Sequence, residues 1–206
     1  MLKDFIQFPW YIVTHPIEGF YDMKFEKKGR LTVALTFIGL MALVNIFGLL
    51  YTGFMVNHYN PFFMNSIMQI IYTIMPLLLF CIGNWSITTL VDGKGKFKEI
   101  VMVVGYAAFP YLIVTILNMV YSNFITPSEA AFYYFFRTFA YGIMLFLLFT
   151  GTMVIHEFTV KREMVTVILT LIAMAVIIFV ALLFFSVIQQ IQGFMYSIYK
   201  ELTLRM

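Results

Sequence analysis

The fold of this chain is decided by residues 165–188, which read VTVILTLIAMAVIIFVALLFFSVI and contain no charge, proline or glycine. About 20 residues of helix, rising about 1.5 Å each, cross the roughly 30 Å of hydrocarbon in a bilayer. A lone strand cannot satisfy its backbone hydrogen bonds in lipid, so this run predicts a transmembrane helix.

Four further apolar runs precede this one, and none of the five contains Asp or Glu. With 62% apolar residues, 11% charged residues and a mean hydropathy of +0.92, the chain is too apolar for a soluble domain. The period-two alternation of a membrane barrel is absent. We therefore expect an all-α polytopic membrane protein, a five-transmembrane-helix bundle with its first four spans at 31–55, 64–90, 100–121 and 131–155.

Short amphipathic segments flank the five spans and divide the chain into 1–30, 31–188 and 189–206. In the first segment Pro16 opens a predicted helix with Ile17, Phe20 and Tyr21 on one face. In the last segment apolar residues recur at helical spacing. We expect both helices to lie in the membrane interface, and contact with a partner protein is the alternative for each.

Basic residues fall mainly on one predicted side of the membrane. Ten of the thirteen Lys and Arg residues lie there, and the positive-inside rule places that side, with the N-terminus, in the cytosol. An odd number of spans then puts the C-terminus outside. The ten residues are Lys3, Lys24, Lys27, Lys28, Arg30, Lys94, Lys96, Lys98, Lys161 and Arg162.

The most distinctive local segment is the turn 92–98, which reads DGKGKFK. Gly93 and Gly95 permit positive φ and expose successive amides around Lys94, as in a small anion-binding nest. It is not a Walker loop, because Phe97 follows Lys96 where Ser or Thr is needed. The turn serves either to fix topology or to contact a lipid phosphate or a protein. The candidate contact residues are Asp92, Gly93, Lys94, Gly95, Lys96, Lys98, His15, Pro16 and Phe20.

Several of these residues carry a family resemblance. His15-Pro16 with Gly19-Phe20, Asn84-Trp85 ahead of the turn 92–98, and Gly105-Tyr106 with Pro110 resemble the Yip (Ypt/Rab-interacting protein) domain family of five-span membrane proteins. The resemblance implies a five-helix domain with a cytosolic N-terminus. Eukaryotic members act with small GTPases in vesicle traffic, and some bacterial members are associated with ABC transporters. With only 30 residues before the first span, we expect a bacterial cytoplasmic-membrane protein without a small-GTPase partner.

Polar residues inside the spans are the second group of candidates. Asn45, Asn84 and Asn118 could form hydrogen bonds between helices or line a solute pathway. Arg137 could snorkel to the headgroups or belong to an ion path. Pro110 suggests a kink in the third span, and Gly105 nearby could allow close packing or a hinge. The intramembrane candidates are Asn45, Asn84, Trp85, Gly105, Tyr106, Pro110, Asn118 and Arg137.

Catalytic and metal-binding patterns are missing from the sequence. His15 and His156 lie on the opposite predicted side from His58, Cys81 stands alone in a span, and no zinc-protease or nucleophile-elbow motif is present. We expect no enzymatic activity, cofactor or nucleic-acid partner. The predicted function is that of an interaction or accessory subunit contacting lipids and another membrane protein, in an ABC-type transporter or a membrane-stress system. The alternative is a small channel or transporter for an uncharged or anionic solute.

Overall fold

The computed structural model describes residues 3–204, without the side chains of Lys3 and Pro61, and every regular element in that range is a helix. Five of these helices, α3 to α7, are long and apolar enough to cross a membrane, which confirms the predicted five-helix architecture. The helices are α1 (Phe8–Thr14), α2 (Pro16–Lys24), α3 (Leu31–Tyr51), α4 (Ser66–Leu90), α5 (Phe97–Tyr121), α6 (Ala130–His156) and α7 (Val160–Leu204), with short π- or 3₁₀-helical turns at Lys3–Gln7, Pro61–Phe63 and Pro127–Glu129.

Helix α5 forms the centre of the bundle, with α3 and α6 packed against it. Its residues 100–112 are all buried, and the helix continues unbroken through Pro110. Gly105 allows the closest approach, because a Cβ there would lie 2.5 Å from the Cα of Ala34 on α3. Its role is therefore close helix packing rather than the hinge considered from the sequence.

Helices α4 and α7 form a second layer beside this core. Helix α4 packs against both α3 and α7. The described part of α7 has three buried residues, Glu163, Thr166 and Thr170, all near its start. A polar stripe at helical spacing therefore forms the buried part of the contact to the bundle, and half-buried apolar residues such as Met174 extend it, while most of the apolar remainder of α7 is exposed.

Helix α7 is longer than the predicted fifth span. It begins at Val160 and runs without a break for 45 residues, about 67 Å at about 1.5 Å per residue and roughly twice the hydrocarbon thickness. The described part of the predicted C-terminal helix, 189–204, is thus the continuation of α7 and not a separate element. No proline interrupts 160–204, and Gly193 is tolerated inside the helix. Arg205 lies outside the described residues.

The N-terminal segment packs into the bundle with one face. Ile12, Phe20 and Met23 are buried, and α2 contacts α6, where the ring of Phe20 fills the space left by Gly151. Phe20 is therefore not the exposed contact expected from the sequence, because its side chain is part of the core. The large hydrophobic side chains that the described part of this segment exposes are Ile6, Trp10, Ile17, Tyr21 and Phe25.

Candidate functional site

The predicted contact turn meets the junction of α6 and α7, and we call this region the basic end (Lys24, residues 91–98 and residues 155–163). His156, the last residue of α6, is 1% exposed. Its Nδ1 accepts a hydrogen bond from the backbone N–H of Gly95 at 3.1 Å. Its Nε2 has no hydrogen-bond partner among the described residues. The imidazole of His156 therefore holds the backbone of the turn in position.

The two glycines of the turn are explained by this imidazole. Neither glycine has a positive φ, whereas Asp92 does, at 54°. A Cβ at Gly93 would lie 2.6 Å from Nδ1 of His156 and 2.8 Å from the Cβ of Thr88, and one at Gly95 would lie 2.7 Å from Cε1 of His156. The prediction of an anion-binding nest built on glycines with positive φ is thus wrong. The two glycines instead leave space for the imidazole ring of His156.

Ion pairs join the turn to α2 and α6. Glu157, in the left-handed conformation that ends α6, accepts from Nζ of Lys94 at 2.5 Å. Nζ of Lys24 lies 3.6 Å from Glu157 and donates to the carbonyl of Ile155 at 2.6 Å. The hydrogen bond from Lys94 is the main cause that lowers the pKa of the Glu157 carboxyl. Lys94 therefore helps to hold the turn in place.

The other two lysines of the turn are differently placed. Lys96 and Lys98 are exposed, and their side chains form no hydrogen bond or ion pair within the part of the chain that the structure describes. Lys96 precedes α5, and its backbone N–H donates to Oε2 of Glu99 at 3.0 Å. The basic end thus exposes two ammonium groups without a partner among the described residues. They lie on a turn whose backbone is hydrogen-bonded to His156.

A buried carboxyl lies behind this surface. Glu163 is 0% exposed, and its Oε1 accepts from the hydroxyl of Thr152 at 2.6 Å, while Oε2 has no partner among residues 3–204. Glu163 was not among the candidates predicted from sequence, because it lies just before the predicted fifth span at 165–188. The helical spacing of Glu163, Thr166 and Thr170 is the signal that could have revealed this polar stripe.

Asn84 belongs to the same half of the bundle. Its side chain is completely buried, and its Nδ2 lies 3.4 Å from Oγ1 of Thr170 across the contact of α4 and α7. The neighbouring Trp85 is exposed and packs edge-to-face on Phe97. Asn84 therefore acts in helix packing and is separated from the other two candidate asparagines.

Asn45, Asn118 and Arg137 come together in the opposite half of the bundle, where they line a cavity of about 170 Å³ that we call the polar cavity. The hydroxyl of Tyr111 donates to Oδ1 of Asn45 at 2.7 Å, and Asn45 donates to Thr73 at 3.1 Å. The cavity lining comes from α3 to α6 and the α3–α4 connection: Val44, Asn45, Gly48, Leu49, Thr52, Val56, Asn57, Gln69, Tyr111, Thr115, Asn118, Met119, Tyr133, Arg137 and Tyr141.

The remaining candidates lie outside both regions. His15 stacks on Tyr11 at 5.3 Å between α1 and α2, next to Pro16, which begins α2. Tyr106 is completely buried, and its hydroxyl accepts from the backbone N–H of Arg30 at 3.1 Å. Tyr106 therefore ties the start of α3 to the core and has a structural role.

Five membrane-length helices, of which α5 is the buried central one, define a polytopic helical membrane protein. The family model of the Yip1 domain matches residues 10–188, and the chain belongs to this family. The match confirms the resemblance predicted from the sequence, and its range includes the basic end and the polar cavity. No curated protein and no solved structure matches the chain.

Proposed function

We propose that this protein is a non-enzymatic accessory subunit of a larger membrane assembly and that it contacts its partner through the turn 92–98. One observation carries the proposal. Lys96 and Lys98 are exposed and have no acidic partner among the described residues, and the backbone of their turn is hydrogen-bonded to His156. A contact surface held in position before binding loses less conformational entropy when the partner arrives.

The chemistry of the turn defines the partner. Two unpaired ammonium groups favour an acidic surface close to the membrane, and complementary charge raises the rate and specificity of docking. We propose a second membrane protein, a component of an ABC-type transporter or of a membrane-stress system, and not a small GTPase. The setting we propose is the bacterial cytoplasmic membrane, with the basic end and N-terminus in the cytosol and the C-terminus outside.

Photo-crosslinking tests this proposal. Benzoylphenylalanine replaces Phe97, an exposed aromatic between the two lysines, and the protein is irradiated in intact cells. We expect a covalent adduct with a membrane protein, identified by mass spectrometry, that disappears when Lys96→Gln and Lys98→Gln are combined. The matched control combines Lys27→Gln and Lys200→Gln, which remove two exposed lysines outside the basic end and should keep the adduct.

Two results would contradict the proposal. One is a protein adduct that survives the loss of Lys96 and Lys98. The other is adducts with lipid alone, which would make the turn a topological element resting on anionic headgroups.

A small channel or transporter for an uncharged or anionic solute is the second candidate function. The polar cavity is the observation that favours it. Asn84 weighs against it, because this residue does not line the cavity and is packed against Thr170 in the other half. Solute flux into vesicles containing purified protein, compared with an Arg137→Gln variant, distinguishes transport from an accessory role.

A further inference from the structure

The polar cavity contains a positive charge that no described residue neutralises. Arg137 lines the cavity together with uncharged residues, and no Asp or Glu is among them. Its guanidinium forms no ion pair or hydrogen bond with the residues that the structure describes. Guanidinium groups bind phosphate and carboxylate oxygens with two parallel hydrogen bonds. The first requirement on a ligand is therefore an oxyanion.

A second, independent observation is an unpartnered buried oxygen on Asn118, a residue that also lines the cavity. Asn118 is 6% exposed, and its Nδ2 donates to the carbonyl of Tyr133 at 3.0 Å, which fixes the orientation of the amide. Its Oδ1 has no partner among the described residues. A buried acceptor without a donor is destabilising. The second requirement is therefore a hydroxyl or ammonium hydrogen on the ligand.

An apolar crevice adjoins the polar cavity and shares Asn118 with it. This crevice of about 370 Å³ lies between the facing sides of α5 and α6 and is lined by Val114, Leu117, Asn118, Tyr121, Phe136 and Phe139. Phe136 directly precedes Arg137 in α6. A polar cavity and an apolar crevice that meet at one residue suit an amphipathic ligand.

From these three features we infer that the polar cavity and its apolar crevice form a phospholipid-binding site. The phosphate lies at Arg137, a hydroxyl or ammonium group of the headgroup donates to Asn118, and an acyl chain occupies the crevice. Phosphatidylethanolamine and phosphatidylglycerol both meet these requirements. The site uses other residues than the basic end, so it stands independently of the proposed accessory function.

The size of the polar cavity agrees with this assignment. Sites for drug-sized ligands enclose about 300–1,000 Å³. The polar cavity, at about 170 Å³, suits the compact headgroup of a phospholipid, and the crevice supplies the larger apolar volume. A soluble phosphate ester would leave the crevice empty, which is why we assign a lipid.

Native mass spectrometry of the detergent-purified full-length protein tests the site. We expect phosphatidylethanolamine or phosphatidylglycerol to bind at least about tenfold more tightly than diacylglycerol with the same chains, because only the phospholipids supply the phosphate. Glycerophosphoethanolamine, which has the headgroup but no chains, should also bind at least about tenfold more weakly, because it buries no apolar surface.

Two variants separate the two parts of the site. Arg137→Gln should weaken phospholipid binding about tenfold, while the exposed Lys161→Gln at the basic end should leave it unchanged. Leu117→Gln places an amide in the crevice and should also weaken binding, whereas Leu145→Gln on α6, equally exposed but outside the crevice, should not. Size-exclusion profiles confirm that each variant is folded.

Three results would overturn the assignment. The first is equal phospholipid binding by Arg137→Gln and the unmodified protein. The second is equal binding of diacylglycerol, which would mean that the phosphate is not recognised. The third is equal binding of glycerophosphoethanolamine, which would make a soluble phosphate ester the ligand.

Discussion

The basic end and the polar cavity both collect charged and polar side chains, but they use them in opposite ways. At the basic end, Lys94 is paired with Glu157, and the backbone of the turn is bonded to His156. In the polar cavity, Arg137 and Asn118 line a space that no described side chain fills, and Oδ1 of Asn118 has no hydrogen-bond partner among the described residues. Charged groups that are paired within a protein mainly stabilise its fold, whereas unpaired charged groups that line a cavity are available to bind a ligand.

The basic end itself contains both kinds of charge. Of the three lysines in the turn, Lys94 belongs to the scaffold, and Lys96 and Lys98 belong to the surface. A variant that removes all three lysines would lose the Lys94–Glu157 ion pair and the proposed partner contact at the same time, so the two effects could not be separated. The comparison between the two regions is therefore tested best with single residues and matched controls.

Cysteine accessibility has the largest expected effect, because labelling is present or absent. In a Cys81→Ala background, cysteine at the exposed Asp92 should be protected from an impermeant thiol reagent in intact cells, since the positive-inside rule places it in the cytosol. Cysteines at the exposed Asn60 and Ser128 should be labelled. The opposite labelling pattern would put the polar cavity, and not the basic end, on the cytosolic side.

Alanine at both turn glycines should produce the next largest effect. The new Cβ atoms at Gly93 and Gly95 would press on the imidazole of His156, and overpacking of this kind costs about 1–3 kcal/mol. Thermal unfolding in detergent should therefore shift to lower temperature. Adding His156→Ala should recover part of the loss, because it removes the ring that the alanines meet.

Gly142→Ala is the matched control for this experiment. A Cβ at Gly142 meets no atom within 4 Å, and alanine favours a helix over glycine by about 0.5–1 kcal/mol. This variant should be as stable as the unmodified protein or slightly more so. Unchanged stability of the double glycine variant would show that the turn is not supported by His156.

Removing the partner of Asn84 should have a smaller effect. Thr170→Val keeps the shape of the side chain but takes away the oxygen to which Asn84 donates, and hydrogen bonds between membrane helices contribute about 0.6 kcal/mol on average. We expect a slightly lower unfolding temperature and unchanged phospholipid binding in native mass spectra. Loss of phospholipid binding would instead connect Asn84 to the polar cavity.

The pH dependence of the Lys94–Glu157 pair should be the smallest effect, because both side chains are partly exposed and salt screens their attraction. The pKa of Glu157 is lowered in the folded protein, mainly by the hydrogen bond from Lys94. Its contribution to stability is therefore present above the pKa of the unfolded state and is lost as the pH falls through the lower folded-state pKa.

Unfolding temperatures measured across this acidic range check the sign. Glu157→Gln should remove this part of the dependence and leave the rest of the curve. Equal acid sensitivity in the unmodified protein and the variant would mean that the pair contributes nothing to stability.

The long helices and the family could be predicted from sequence, since both depend on local runs and motifs. The runs at 31–55 and 100–121 correspond to α3 and α5, and the motifs around 84–98 gave the resemblance that the Yip1 match confirmed. The sequence pattern did not show that the amphipathic segment after 188 continues the fifth span as one helix, because an amphipathic pattern does not itself end a helix when no proline interrupts it.

The sequence by itself determined that this protein is a five-helix membrane protein with a basic end, because hydrophobic length and charge placement are properties of consecutive residues. Only the tertiary structure decided which polar residues meet. It joined Gly95 to His156 and placed Asn45 with Arg137 while leaving Asn84 in the other half. The hydrogen bonds of Gly95 with His156 and of Asn84 with Thr170 join residues 61 and 86 positions apart in the sequence. Sequence periodicity gives the face of each helix but not the partner it meets, which depends on how all the helices pack together.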